Sequence, residues 1–294
     1  GVMPDVVNRT LQPTRRVIGD VDPAQPLDTT HPLLRGVQGF WLPLRHLTGG
    51  ARLYDISGHS YHGDVTGAYW DRDPKFPFAQ LRFDGENDNV DSNYKHDLSK
   101  GGTVLYWHTI LDDEKSWGFG THENDFETKN RFYIRSDYGI GVGDSFGSSA
   151  PKDAGRHNFV FAHDNGNASL FYDKELHESI SYNVGNAITS RLHFGCLRGR
   201  GGGLSDFLDG RVGPVIIYNR KLSENEWGAL LEQKRRGFPD LLRTRSTAPL
   251  VSTSGGGGEE TRSLSTGTIR LQGGDLSVSE AGATRSLSTG AVRL

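Results

Sequence analysis

Asn158-Phe159-Val160-Phe161-Ala162-His163-Asp164-Asn165-Gly166-Asn167-Ala168-Ser169-Leu170-Phe171-Tyr172 is the stretch that decides the fold. Two apolar runs, Phe159-Val160-Phe161 and Leu170-Phe171-Tyr172, flank a turn built of Asp, Asn and Gly. Asn and Gly accept the positive φ that a tight hairpin needs, so the segment reads as two antiparallel strands and their turn. The same alternation of short apolar run and turn recurs outward in both directions. Candidate strands cover 39–44, 79–83, 103–111, 131–134, 158–163, 168–172, 191–196 and 212–218, with Asp84-Gly85 and Asp209-Gly210 as further turns. Short strands punctuated in this way predict an all-β antiparallel sandwich.

One helix is expected near the end of this region. Ser223-Glu224-Asn225-Glu226 is a capping box, and Leu222 and Trp227 are spaced for a hydrophobic staple. The helix runs through Leu230 and Leu231 to Arg236, where Gly237 and Pro239 stop it. Lys234, Arg235 and Arg236 suit the negative end of its dipole, and a phosphate contact is the other reading of that basic cluster.

Composition divides the 294 residues further. Residues 1–33 carry Pro4, Pro13, Pro23, Pro26 and Pro32 with no helical or strand period, and read as an extended N-terminal arm. Residues 34–238 hold all five Trp and form the expected sandwich. Residues 239–258 are a linker ending in four glycines, Gly255 to Gly258. Residues 259–294 contain a repeat: Thr261-Arg262-Ser263-Leu264-Ser265-Thr266-Gly267 returns as Thr284-Arg285-Ser286-Leu287-Ser288-Thr289-Gly290. Its apolar residues alternate with polar ones, as in strands whose core lies elsewhere.

Charge and cysteine usage set bounds on function. The formal net charge is −3, so no global basic field favours nucleic acid or an anionic membrane, and neither is an expected partner. Cys196 is the single cysteine, which rules out an intrachain disulfide scaffold. Its apolar neighbourhood, Leu192 to Leu197, predicts a buried thiol. The opening residues lack the basic start and apolar run of a secretory signal.

Four segments carry a family resemblance. Gly36-Val37-Gln38-Gly39-Phe40-Trp41-Leu42-Pro43-Leu44, Tyr54-Asp55-Ile56-Ser57-Gly58-His59-Ser60-Tyr61-His62-Gly63, Leu81-Arg82-Phe83-Asp84-Gly85 and Phe207-Leu208-Asp209-Gly210-Arg211-Val212-Gly213-Pro214-Val215-Ile216-Ile217-Tyr218 stand in order. Together they resemble the opening strand, Asp-x-Ser-Gly turn, strand-turn and closing strand of laminin-G-like domains. That resemblance implies a concanavalin-A-like jelly roll. The flanks His31-Pro32-Leu33-Leu34-Arg35-Gly36 and Phe238-Pro239-Asp240-Leu241-Leu242-Arg243 are similar to those of jelly rolls in tailed-phage virion proteins. They imply a capsid-decorating or tail-associated protein in the virion, made in the host cytoplasm.

Three sets of residues are candidate sites. Glu123, Asp125 and Glu127 would share one face of a strand. They resemble the Glu-x-Asp-x-Glu strand of jelly-roll retaining glycoside hydrolases, which implies nucleophile, modulator and acid/base in that order. Asn124 and the polar flanks point instead to a solvated loop between the runs at 117–119 and 132–134. Asp84, Asp88 and Asp91 are candidate calcium ligands, since calcium prefers clustered carboxylates, although turn chemistry also accounts for them. Trp70, Trp107, Trp117 and Tyr106 are candidate sugar-stacking rings; the neighbours Tyr106 and Trp107 face opposite sides of the sheet, so one of them is expected in the core. The expectation is therefore a non-enzymatic virion structural protein, anchored by its arms to neighbouring subunits and to its own copies. It displays a jelly roll suited to cell-surface glycans and is expected to need no cofactor, with calcium as the one candidate ion. A soluble carbohydrate-binding module and a jelly-roll glycosidase are the alternatives.

Overall fold

The structure is a computed structural model. It describes residues 27–28, 30–43, 50–71, 78–114, 117–122, 131–135, 139–148, 153–164, 166–183, 191–198, 203–235, 237–238, 240–242, 276–280 and 283–287. The chain divides into two units, Gly1–Thr244 and Arg245–Leu294.

The first unit begins with β1 (Val37–Trp41), β2 (Arg52–Leu53), β3 (Gly63–Thr66), β4 (Tyr69–Asp71), β5 (Gln80–Asp84) and β6 (Asn89–Ser92). Next come β7 (Gly102–Ile110), β8 (Gly118–His122), β9 (Arg131–Arg135), β10 (Gly139–Val142), β11 (Ser145–Phe146) and β12 (Gly155–Asp164). It closes with β13 (Asn167–Tyr172), β14 (Glu175–Ser181), β15 (His193–Phe194), β16 (Leu197–Arg198), β17 (Leu204–Ser205), β18 (Asp209–Tyr218) and α1 (Glu224–Arg235). Among the described residues these strands make two sheets. One runs β14-β13-β12-β7-β18-β5-β4 with β1 on β18; the other runs β11-β10-β9-β8-β15-β6-β3-β2 with β16 and β17 beside β8. Pairing is antiparallel except between β16 and β8. The fold is the expected antiparallel jelly-roll sandwich with one helix near its end.

The opening hairpin prediction holds in detail: Phe159 faces Tyr172 and Asp164 faces Asn167 across β12 and β13. Between the sheets lies an aromatic core that includes Trp41, Phe83, Tyr106, Phe119, Phe132, Phe159, Phe161 and Phe194. Phe119 and Phe194 stack at 5.6 Å, and Phe159 meets Trp117 edge-on at 5.3 Å, geometries that the ring quadrupole favours.

A third layer covers part of the outer face of the β7-containing sheet. Trp227, Leu230 and Leu231 of α1 pack there with Leu27, Leu34, Phe40, Trp107, Tyr218, Phe238, Leu241 and Leu242. A twelve-residue helix is marginal alone, and each leucine it buries contributes about 1.5–3 kcal/mol, so docking is what holds α1. Its ends follow the sequence. Ser223 Oγ accepts from Glu226 N, while Glu226 Oε2 accepts from Ser223 N at 2.9 Å. At the other end Gly237 takes φ +82, Gly237 N donates to Lys234 O, and Phe238 N donates to Gln233 O. Leu27 bridges Leu242, and Asp28 N donates to Leu241 O at 2.8 Å, so the segments entering and leaving the unit lie side by side.

In the second unit β19 (Leu276–Glu280) and β20 (Ala283–Leu287) form an antiparallel hairpin, with Leu276 opposite Leu287. The second repeat copy begins within β20; the first lies outside the described residues.

Candidate functional site

Glu123, Asp125 and Glu127 lie outside the described residues, within the connection from β8 to β9. The strands on either side pair as a hairpin, with His122 opposite Arg131.

The structure brings Asp84 and Asp88 together and gives Asp91 a different set of partners. Asp84 Oδ1 accepts from Glu86 N at 2.9 Å and so caps its own turn. Asp88 Oδ2 accepts from Asp84 N at 2.9 Å. Loss of water raises the Asp88 carboxyl above its ordinary range, against the lowering effect of that hydrogen bond. Asp91 stands on β6 in the other sheet, 3.4 Å from Arg191 and 3.9 Å from His193. Among the described residues no three His, Cys, Asp or Glu side chains form a metal-binding group.

The third layer covers one of the candidate stacking rings, Trp107, and the other three pack in or on the core between the sheets. Tyr106 and Trp107 point to opposite faces of β7, yet both are buried, because one faces the aromatic core and the other lies under α1 and Phe238. Trp117 is buried as well, and Trp70 packs on the core while its Nε1 donates to Gly50 O at 3.3 Å. Among the described residues the exposed tyrosine or phenylalanine rings are Tyr69, next to Trp70 and 60% accessible, and Phe146 on β11, in the other sheet. The alternation of β4 turns Trp70 inward and Tyr69 outward.

Tyr69 begins a row that crosses five strands on the part of the outer face beyond α1. Tyr69 faces Arg82, Arg82 faces Arg211, Arg211 faces Thr109 and Thr109 faces Arg156. Their neighbours along the strands, Leu81, Phe83, Ile110 and Val212, fill the core, which turns the row to the outer face, where Thr109 is itself buried between the arginines on either side. Arg82 and Arg211 are like charges directly opposite each other, a pairing that costs stability alone. Each is held by an aspartate: Arg82 Nη2 lies 2.7 Å from Asp209 Oδ1, and Arg211 Nε lies 2.6 Å from Asp71 Oδ2. Arg82 Nη1 also donates to Gly210 O at 3.2 Å. These four side chains are only 18–27% exposed, so their charged groups lie fixed along the sheet. Leu111, 43% accessible, borders the row, and Leu111 N donates to Asp209 O.

Two polar clusters lie deeper. His96 Nε2 and His163 Nε2 are 2.8 Å apart, and both rings are buried. Tyr182 OH donates to Leu98 O, so His163 Nδ1–H donates to the tyrosine oxygen and His96 Nε2–H donates to His163. In the second cluster Asp173 accepts from Asn158 N at 2.8 Å and pairs with His157 Nδ1 at 2.8 Å. Asn158 Oδ1 accepts from Lys234 Nζ at 3.0 Å, and that amine sits 5.6 Å over the Trp107 ring. Burial lowers Lys234 to about 7. One member of the basic cluster at the helix end is thus turned under the helix instead of into solvent.

No family model matches the chain, and no curated protein sequence matches it. Among solved structures it is similar to the Trypanosoma rangeli sialidase in complex with sialic acid, at 18% identity and TM-score 0.43, over 68% of this chain and 33% of that one. It is similar also to the binding domain of botulinum neurotoxin serotype D/C, at 13% identity and TM-score 0.47, over 68% of this chain and 53% of that one. The neurotoxin DC binding domain in complex with SialylT matches at 14% identity and TM-score 0.47, over 68% and 52%. The chain spans about half or less of the length of these structures.

Proposed function

We propose that this chain is a non-enzymatic glycan-binding module, displayed from a tailed-phage virion through the extensions on either side of its jelly roll. The observation that carries the reading is the row Tyr69–Arg82–Arg211–Thr109–Arg156 with its two ion pairs. Sugar rings offer an apolar C–H face and hydroxyls that donate and accept at once. An exposed tyrosine ring meets the first need. A guanidinium clamped to a carboxylate meets the second, presenting donors and acceptors whose side-chain freedom is already lost. The carboxylates of the strip are engaged by arginines, which suits hydrogen bonding to hydroxyls better than proton transfer to a glycosidic oxygen.

The virion setting rests on the resemblance of the flanks and is supported by the Leu27–Leu242 bridge, which sets residues 27 and 242 side by side. In this reading the extensions bind neighbouring subunits and other copies of the chain.

The test is direct binding of the intact chain to immobilised glycans. Binding is expected, with loss of about tenfold or more on Tyr69→Ala, the scale of one good aromatic contact, and no release of reducing sugar from the bound glycan. Release of sugar, or equal binding by the variant, overturns it.

A further inference from the structure

We infer that the strip selects uncharged oligosaccharides and binds them across the strands, from the β4 edge towards β12. The inference rests on the reading of the strip as a glycan site and names its ligand class. Three arginines, Arg82, Arg156 and Arg211, stand among three aspartates, Asp71, Asp84 and Asp209, on this part of the face. These six formal charges balance, and Glu86 and Asp88 beside Asp84 add acidic groups, so nothing here favours an anion. Two of the arginines are held at 2.7 and 2.6 Å by Asp209 and Asp71.

A sulfate or carboxylate arriving there would have to displace an aspartate from a guanidinium that it already neutralises. A pair of hydroxyls need displace nothing: one accepts from an outward guanidinium N–H while its neighbour donates to a carboxylate lone pair. Direction follows from the register. The row steps from strand to strand at about 4.8 Å, so its five positions span about 19 Å perpendicular to the strands, a length that suits a short chain of sugars. Tyr69 stacks one terminal ring, and Arg156 receives the other end.

The ion pairs also predict how the preference breaks. Without Asp71 and Asp209, Arg82 and Arg211 lose the carboxylates that hold them and stand as a cationic pair directly opposite each other. The Asp71→Asn/Asp209→Asn double variant therefore turns the strip into an anion site.

The experiment uses the intact chain in calorimetric titrations. The probes are neutral tetrasaccharides of glucose, galactose and mannose, with oligogalacturonate and sialyl-lactose as anionic ones. Wild-type protein is expected to bind a neutral probe, with affinity changing less than about threefold between 50 and 500 mM salt, since few counterions are released. The double variant is expected to gain an anionic ligand whose affinity falls about tenfold or more over that range. Circular dichroism confirms that both variants are folded, and exposed Tyr69→Ala serves as the fold-neutral control. Wild-type preference for the anionic probes, lost on Tyr69→Ala, overturns the ligand class and leaves the glycan reading standing. A double variant that gains no anionic ligand overturns the ion-pair argument. Binding of neither class, or binding indifferent to Tyr69→Ala, overturns the glycan reading itself.

Discussion

At the scale of single residues, this domain places ionisable groups where water cannot reach them. Burial, aided by Lys221 and opposed by Asp97, lowers His163 to about 4, and burial together with His163 lowers His96 well below 6.5. The folded state keeps both neutral while the unfolded chain takes up protons near pH 6.5. Nothing is lost above that pH; between about 6.5 and 4 stability falls, by about 3 kcal/mol for His163 alone. His157 works the other way. Burial lowers it, but hydrogen bonds to Asp173 and to the Asp153 carbonyl outweigh that and raise it, so its contribution is full at low pH and lost as pH rises through the raised value. Urea midpoints between pH 7.5 and 4.5 are expected to fall, with a shallower slope in His96→Phe/His163→Leu; an unchanged slope would exclude this pair as the source. Lys234 offers a second check. Its amine titrates near 7 when folded and near 10.5 when unfolded, so the charge costs stability increasingly as pH falls over that range. Lys234→Met keeps the stem's packing over Trp107 and removes the charge. It is expected to raise the melting temperature, more at pH 7 than at pH 9.5. A uniform loss at both would show the Asn158 hydrogen bond to be the larger effect.

At the scale of elements, the sequence announces those with local causes. The β12–β13 hairpin was legible in Asn165 and Gly166, and α1 in its Ser223–Glu226 box and Gly237 stop, because caps and turns act within a few residues. What covers each face of a strand is not local. β7 is buried along its whole length, so Val104-Leu105-Tyr106-Trp107 carries no alternation to read. The sandwich therefore showed in the sequence while its third layer did not, nor did the strip beyond that layer. Tyr69 and Trp70 are adjacent aromatics, and only the register of Trp70 with Leu81 decides which one faces water. Gly195 between β15 and β16 is another such element-level constraint. It has φ +76, and a Cβ there would lie 2.2 Å from the Phe83 ring. Gly195→Ala is expected to cost about 2–4 kcal/mol, combining left-handed strain with overpacking. A denaturation midpoint within error of wild type would mean that β15 and β16 can shift apart without loss.

At the scale of the whole molecule, the jelly roll is bounded by the contact of Leu27 with Leu242. A chain trimmed to residues 27–244 is expected to keep the cooperative melt and near-ultraviolet spectrum of the full protein. Trimming to 35–238 removes Leu27, Leu34, Leu241 and Leu242 from the outer cluster and is expected to lower the melting temperature by about 10 °C or more, at roughly 2 kcal/mol per buried leucine. Equal melting of the two would show the flanking segments to be passengers. The same contact fixes how the domain answers to tension. Force applied through handles at residues 27 and 242 enters and leaves at two residues that already touch. The strands behind them lie off the line of pull, and the first bond to bear load is the one from Asp28 N to Leu241 O. Under stretching the domain peels from this pair instead of shearing across its sheets, hanging like a bead from a closed loop of string. In a single-molecule trace the leading event is therefore a low-force release of the Leu27 segment, ahead of the rupture of β1 from β18.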